Sequence, residues 1–213
     1  MSNVHVNPYH TTSKKDFEKY ADELKINLFS LSDDEVVARI AVMVAMIGDG
    51  YTVLDIWGFH NNNLNTSVFN FHAFPLQTYI FDKGVYVIYA DKKNKELEGK
   101  KLVKINNTDI EIVLNKMKAI VPGDNEYNKK FSLPFFIVNA EYLNGLGLLD
   151  NTDKCEFTFE DKAGILTSEI IESVSLPNYN NIIHNNPELL DAPLYLQNES
   201  KNYWFKYLEN EKI

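Results

Sequence analysis

FPLQTYIFDKGVYVIYADKKNKELEGKKLVKINNTDIEIVLNKMKAIV, residues 74–121, is the stretch whose reading decides the fold. Two alternating apolar runs, 76–81 and 85–90, flank Asp82-Lys83-Gly84, which has the turn chemistry of a β-hairpin. A lysine-rich connector follows, then a short strand over 101–105. Asn106-Asn107 makes the next turn, and Thr108-x-x-Glu111 has the form of a capping box that opens a helix. Hairpin, strand, turn and helix in this order predict a small β-barrel capped by a helix. Such a unit suits the holding of a peptide better than the breaking of a bond.

Upstream, residues 1–12 read as a loose leader and residues 13–73 as a helical region with following strands. Ser13-x-x-Asp16 caps a first helix whose apolar face is Phe17, Tyr20, Ala21 and Leu24. Ser32-x-x-Glu35 is a stronger capping box, with Asp33 and Asp34 near the positive end of the helix dipole. The second helix, 36–47, is apolar on nearly every side and is expected to be buried, with Gly48 as its C-cap. Gly48-Asp49-Gly50-Tyr51-Thr52 lacks the remaining glycines and the lysine of a phosphate cradle, so it reads as a structural turn. A strand over 53–59, a polar loop over 61–65 and a further strand over 68–71 follow.

Downstream, Pro122-Gly123 breaks the helix. Residues 126–130 begin another, which Pro134 is expected to interrupt. Residues 140–149 read as a short helix packed at a domain junction. Residues 155–160 and 166–171 read as paired strands around Asp161-Lys162-Ala163-Gly164, completing the barrel. Residues 177–193, rich in Asn and Pro, read as a linker, and 194–196 with 203–208 as a terminal hairpin that wants a sheet to join. The fold class expected is α+β.

Composition narrows the function. The net charge of -9 repels phosphate backbones, and no stretch groups cations with aromatics, so nucleic acid is not an expected partner. Residues 92–104 are locally basic and read as a solvated connector. Cys155 is the single cysteine, which excludes an intrachain disulfide and a cysteine-based zinc site and leaves a buried thiol in a strand. No run of about 18 apolar residues suggests a membrane span, and residues 1–12 lack the pattern of an export signal. As written the chain is expected to be soluble, and its compartment is left open.

The five histidines, His5, His10, His60, His72 and His184, have no metal-binding spacing, although His60 and His72 fit neighbouring strands. No Gly-x-Ser-x-Gly elbow and no Ser-x-x-Lys motif occurs. Neither a catalytic set, a metal site nor a cofactor is expected within the chain.

The segments LSDDEVVARIAVMVAMIGDGYT, FPLQTYIFDKGVYVIYADKKNKELEGKKLVKINNTDIEIVL, LDNTDKCEFTFED and PLYLQNESKNYWFKYLEN, taken in order, resemble the C-terminal-processing (tail-specific) serine peptidases. The resemblance runs over most of the chain from about residue 13, and the ordered set carries it rather than any one motif. It implies an N-terminal helical region, a PDZ-like domain over residues 74–176, and a linker with the first strands of a catalytic αβ domain over 177–213. The family's catalytic serine and lysine would lie in that later domain, so the chain is expected to be inactive alone. One departure stands out: relatives commonly read Gly-Asp-Gly-His-Thr where Tyr51 occupies the histidine position, and tyrosine is no neutral-pH base.

PDZ-like domains take an extended peptide as an added strand and receive its terminal carboxylate on backbone amides. The resemblance therefore implies peptide or unfolded protein C-termini as partners. Phe74, Pro75, Leu76, Gln77, Thr78 and Tyr79 would form the strand edge and carboxylate loop, and Ile110, Val113, Leu114 and Met117 the pocket wall. The plain alternative is that these side chains form the barrel core. Two further readings stand beside peptide recognition: a structural or gating domain that binds no peptide, and a hydrolase whose site combines Tyr51 and Asp49 with a histidine.

Overall fold

The computed structural model of the chain describes residues 7–56 and 70–184, together with His5, Tyr203 and Phe205. The expected loop at 61–65 and most of the terminal hairpin lie outside these residues, as do His60 and parts of the expected strands at 53–59 and 68–71. The described residues 53–56 and 70–71 are not strand.

Two capped helices open the fold. Helix α1, Lys14–Asn27, starts at Ser13, whose hydroxyl accepts from the Asp16 amide, and it buries Phe17 and Leu24. Helix α2, Asp33–Ala45, starts on a complete capping box, with Glu35 N donating to Ser32 Oγ at 3.3 Å and Ser32 N donating to Glu35 Oε2 at 2.8 Å. Each bond satisfies an amide that the first helical turn leaves without a partner. The expectation that α2 is buried all round is corrected. Only Val37, Ala38 and Ala41 are buried, because its neighbours cover a single face. Gly48, at φ 71, turns the chain after the helix where Thr11 fills the space a Cβ would need.

The main sheet is antiparallel and six-stranded. It holds β2 (Leu76–Phe81), β3 (Gly84–Ala90), β4 (Lys101–Ile105), β5 (Thr108–Asp109), β6 (Lys154–Glu160) and β7 (Leu166–Glu172). The order is β2-β3-β4-β6-β7, with β5 off β4, so the expected hairpins form and their strands are neighbours. Asn106 and Asn107 both take positive φ, 46° and 62°, as a tight hairpin turn between β4 and β5 requires. Before the sheet, β1 (His72–Ala73) pairs with β8 (Val174–Ser175) in a separate two-stranded ladder.

No closed barrel forms among the described residues, since β2 and β7 stand at opposite ends of the order. Helices close the core instead. Leu76, Val85, Leu102 and Phe157 join one apolar cluster with the buried side of α3 (Ile110–Met117) and parts of α4 (Glu126–Phe136), α5 (Ala140–Gly145) and α6 (Leu176–His184). None of the helices among the described residues is long and apolar enough to cross a membrane.

Three local expectations are corrected. Thr108 does not cap α3: it belongs to β5, and the N-cap is Asp109, which makes no side-chain cap bond. Pro134 does not stop α4. It lies buried inside the helix, and burial against β2, where Thr78 Oγ1 donates to its carbonyl at 3.3 Å, offsets the lost intrahelical bond. Residues 177–184, read as linker, belong to α6. Pro177 falls in its first turn, where no amide donor is needed, and Leu176 and Tyr179 are buried.

Helix α5 crosses α2 at very close range. A Cβ built at Gly145 would collide with the carbonyl oxygen of Asp34 and stand 2.8 Å from the Ala38 Cβ. Backbone cannot yield as a flexible side-chain end can, so Gly145→Ala is expected to destabilise the chain by about 1–3 kcal/mol through forced separation of the helices. A urea titration of both proteins measures it.

Candidate functional site

The loop expected to receive a peptide carboxylate has spent its amides. Phe74 N donates to Val138 O at 2.8 Å, Leu76 N donates to Phe74 O at 2.7 Å, and Pro75 has no N–H. The side chains of Phe74 and Leu76 are fully buried, with the Phe74 ring edge-on to Phe157 at 4.9 Å. Pro75 and Thr78 are also buried, Gln77 is half-buried and Tyr79 is exposed. On α3, Ile110, Val113, Leu114 and Met117 all belong to the core cluster, Val113 and Met117 with no exposure at all. For Phe74, Leu76 and these four residues of α3 the plain alternative, core packing, describes what is found, although no barrel closes around it.

An open concavity lies at the other end of β2. A cleft of about 440 Å³ is walled by Ile80 and Asp82 at the end of β2, by Leu114 and Lys118 of the α3 segment, and by Tyr127 and Lys130 of α4. A smaller hollow of about 340 Å³ continues past Tyr79 and Phe131. Leu114 and Tyr79 are thus expected site residues that reach these hollows, and Ile110 lines a separate one of about 490 Å³ beside Gly84 and Lys101. The rim of the cleft is aromatic: the Tyr79 and Phe81 rings are 4.6 Å apart, and Phe81 meets Tyr86 edge-on at 5.7 Å. Its charged residues are Asp82, Glu111, Lys118, Glu126 and Lys130, of which Lys130 Nζ lies 3.7 Å from Asp82 Oδ1 in an exposed pair. Aromatic faces with a few charges can hold an extended chain, whereas no nucleophile with an adjacent base lines the cleft.

The Gly48–Thr52 turn is tied off internally. Asp49 accepts from the Tyr51 amide at 2.9 Å and from the Thr52 hydroxyl at 2.8 Å, while His5 Nε2 stands 2.9 Å from its Oδ2. These bonds, the Tyr51 amide foremost, hold the Asp49 carboxyl below its usual range. Nδ1 of His5 accepts from the Asn7 amide, which leaves the proton on Nε2 facing Asp49. Neither ring nitrogen is free to serve as a base, and Tyr51 is 93% exposed with its side chain in solvent. The turn is structural.

A cluster that the sequence reading missed joins three elements. Glu141 of α5 is buried, and both its carboxylate oxygens accept from the His72 backbone amide at 2.9 Å. His72 Nδ1 lies 2.8 Å from Glu141 Oε1, and Asn139 Nδ2 donates to the His72 carbonyl at 3.1 Å. Asp34 of α2 lies close enough to feel the cluster. Burial first, then the charges of Glu141 and Asp33, push its carboxyl up to about 6, and His72 opposes them. His72 and Glu141 are 69 positions apart, so no local spacing could announce them. Among the described residues, no group of three His, Cys, Asp or Glu side chains is placed to hold a metal. Cys155 is buried as expected, which pushes its thiol up to about 12 and leaves it inert.

No protein-family model matches the chain, and no curated protein is similar to it in sequence. Solved structures are similar in fold. A mutant of CPAF, a chlamydial serine protease, superposes with a TM-score of 0.52 at 8% identity. Mature CPAF complexed with lactacystin gives 0.50, also at 8% identity. In each case 74% of this chain is covered but only 28% of the other, so the chain spans well under a third of the proteins it resembles. The fold is thus similar to that of a part of CPAF, and at such identity the likeness speaks for the fold alone.

Asp34 yields a signed pH dependence. Its folded carboxyl titrates near 6 against about 3.9 unfolded, so its favourable contribution is complete below pH ~4 and is lost as pH rises through about 6. Asp34→Asn is expected to match the parent in stability near the acid end and to exceed it above the folded value, which thermal melts across pH will measure.

Proposed function

We propose that this chain is the non-catalytic front portion of a protein related to the serine proteases, with a PDZ-like unit that recognises extended peptide segments for a catalytic domain. The observation that carries the reading is the cleft where the end of β2 meets α3 and α4, apolar at its base and aromatic at its rim. The likeness to CPAF adds the protease context, and the absence of a nucleophile with a base among the cleft residues fits a recognising rather than a cleaving role. The partners proposed are peptides or unfolded protein chains. Because the amides of the 74–76 loop are taken, the peptide is gripped by its side chains and backbone rather than by its terminal carboxylate.

A second reading, a structural or gating domain that binds no peptide, draws on a specific contact: α4 already packs along β2, with Thr78 bonded to Pro134. Calorimetric titration with peptides derived from an unfolded protein, each as free acid and amide, separates the two. Equal binding of both forms, weakened about tenfold by Tyr127→Ala, is expected. Preference for the free acid would restore carboxylate capture, and no binding of either form would favour the structural domain. A fluorophosphonate probe is expected to leave the chain unlabelled, and covalent labelling would overturn the reading.

A further inference from the structure

The two ends of the main sheet are treated differently. At one end β2 is packed against α4. At the other, β7 pairs with β6 along its whole length, from Lys154↔Glu172 to Glu160↔Leu166, and with nothing else among the described residues. Strands at sheet edges are normally blunted by proline, lysine, a bulge or a covering element. Residues 166–172, LTSEIIE, contain neither proline nor lysine, and the register with β6 is unbroken. Only Ile171 of the strand is buried in the core; Leu166 is 59% exposed and Ile170 63% exposed on the other face, and Glu169 is exposed although its cross-strand neighbour Phe157 is fully buried.

Its charge selects a partner. Residues 153–172 carry six carboxylates against two lysines. Glu160 and Glu172 reach Lys101 and Lys93, but Glu169 has no ion-pair partner among the described residues. We propose that the outer edge of β7, unpaired among the described residues, accepts an added strand from a partner segment in which basic and apolar residues alternate. The incoming backbone would pair with the edge amides and carbonyls of β7. Its apolar side chains would lie beside Leu166 and Ile170, and its cations beside Glu169 on the opposite face. This surface is distinct from the cleft at β2, and its occupant is a strand rather than a gripped peptide side chain.

The full chain, titrated with an alternating Lys-Val heptapeptide, tests it. The expected results are binding that weakens with salt, slowed amide exchange over residues 166–172, and about a tenfold loss of affinity in Glu169→Lys, an exposed site whose fold circular dichroism verifies. Methylating alternate peptide nitrogens, which removes ladder donors but keeps the charge, is expected to abolish binding. No binding by the heptapeptide, unchanged binding after methylation, or indifference to both Glu169→Lys and Ile170→Lys would each overturn the proposal.

Discussion

The fold depends on one buried carboxylate. Glu141 lies at 5% exposure inside the short helix α5, where an unpaired charge would cost several kcal/mol. Its solution is to take the His72 amide on both oxygens and the His72 ring on one. That fixes β1 against α5, and three neighbouring bonds extend the clamp. Asn139 accepts from the Tyr142 amide, donates to the His72 carbonyl, and is followed in space by Phe74 N on Val138 O. The start of the central hairpin is therefore anchored through main-chain atoms before β2 begins. One of these anchoring amides, that of Phe74, is one that a carboxylate-binding loop would need, and the anchor has it.

The same helix couples the N-terminal pair to the rest. Gly145 lets α5 approach the first turn of α2 until its backbone touches the Asp34 carbonyl. The approach brings Asp34 within reach of Glu141, and burial first, then the like charges of Glu141 and the adjacent Asp33, raise its carboxyl. The junction thus carries the acid-stabilised Asp34 contact beside the Glu141 clamp, which takes a main-chain donor on both its oxygens.

How much of this was legible follows from the range of each interaction. The helix caps at Ser13 and Ser32, the hairpins at Asp82–Gly84 and Asp161–Gly164, and strand Lys101–Ile105 all rest on residues a few positions apart, and all appear as read. Thr108 misled because the capping-box spacing also fits a two-residue strand after a tight turn, and pairing with β4 won. Pro134 and residues 177–184 misled because burial against β2 outweighed local preference, with Tyr179 OH donating to the Leu76 carbonyl at 3.1 Å. The apolar face of α3 was read rightly as a face and doubtfully as a wall. Periodicity marks the side that seeks cover, and it is silent on whether protein or ligand provides it. The His72–Glu141 clamp joins residues too far apart for any pattern to reveal.

What remains is the asymmetry of the sheet. A small open sheet has two edges, and each must be covered, blunted or used. Helix α4 covers the β2 side and fills the path along Thr78, leaving only the cleft near Ile80 and Asp82. That helix and α5 are contributed by residues 126–145, between α3 and β6 in the chain, so they add cover without lengthening the sheet. The hairpin β6–β7 has no such insertion, and its outer strand keeps apolar and acidic side chains in the open. Covering one edge leaves the outer backbone groups of the other, on β7, without a strand partner among the described residues.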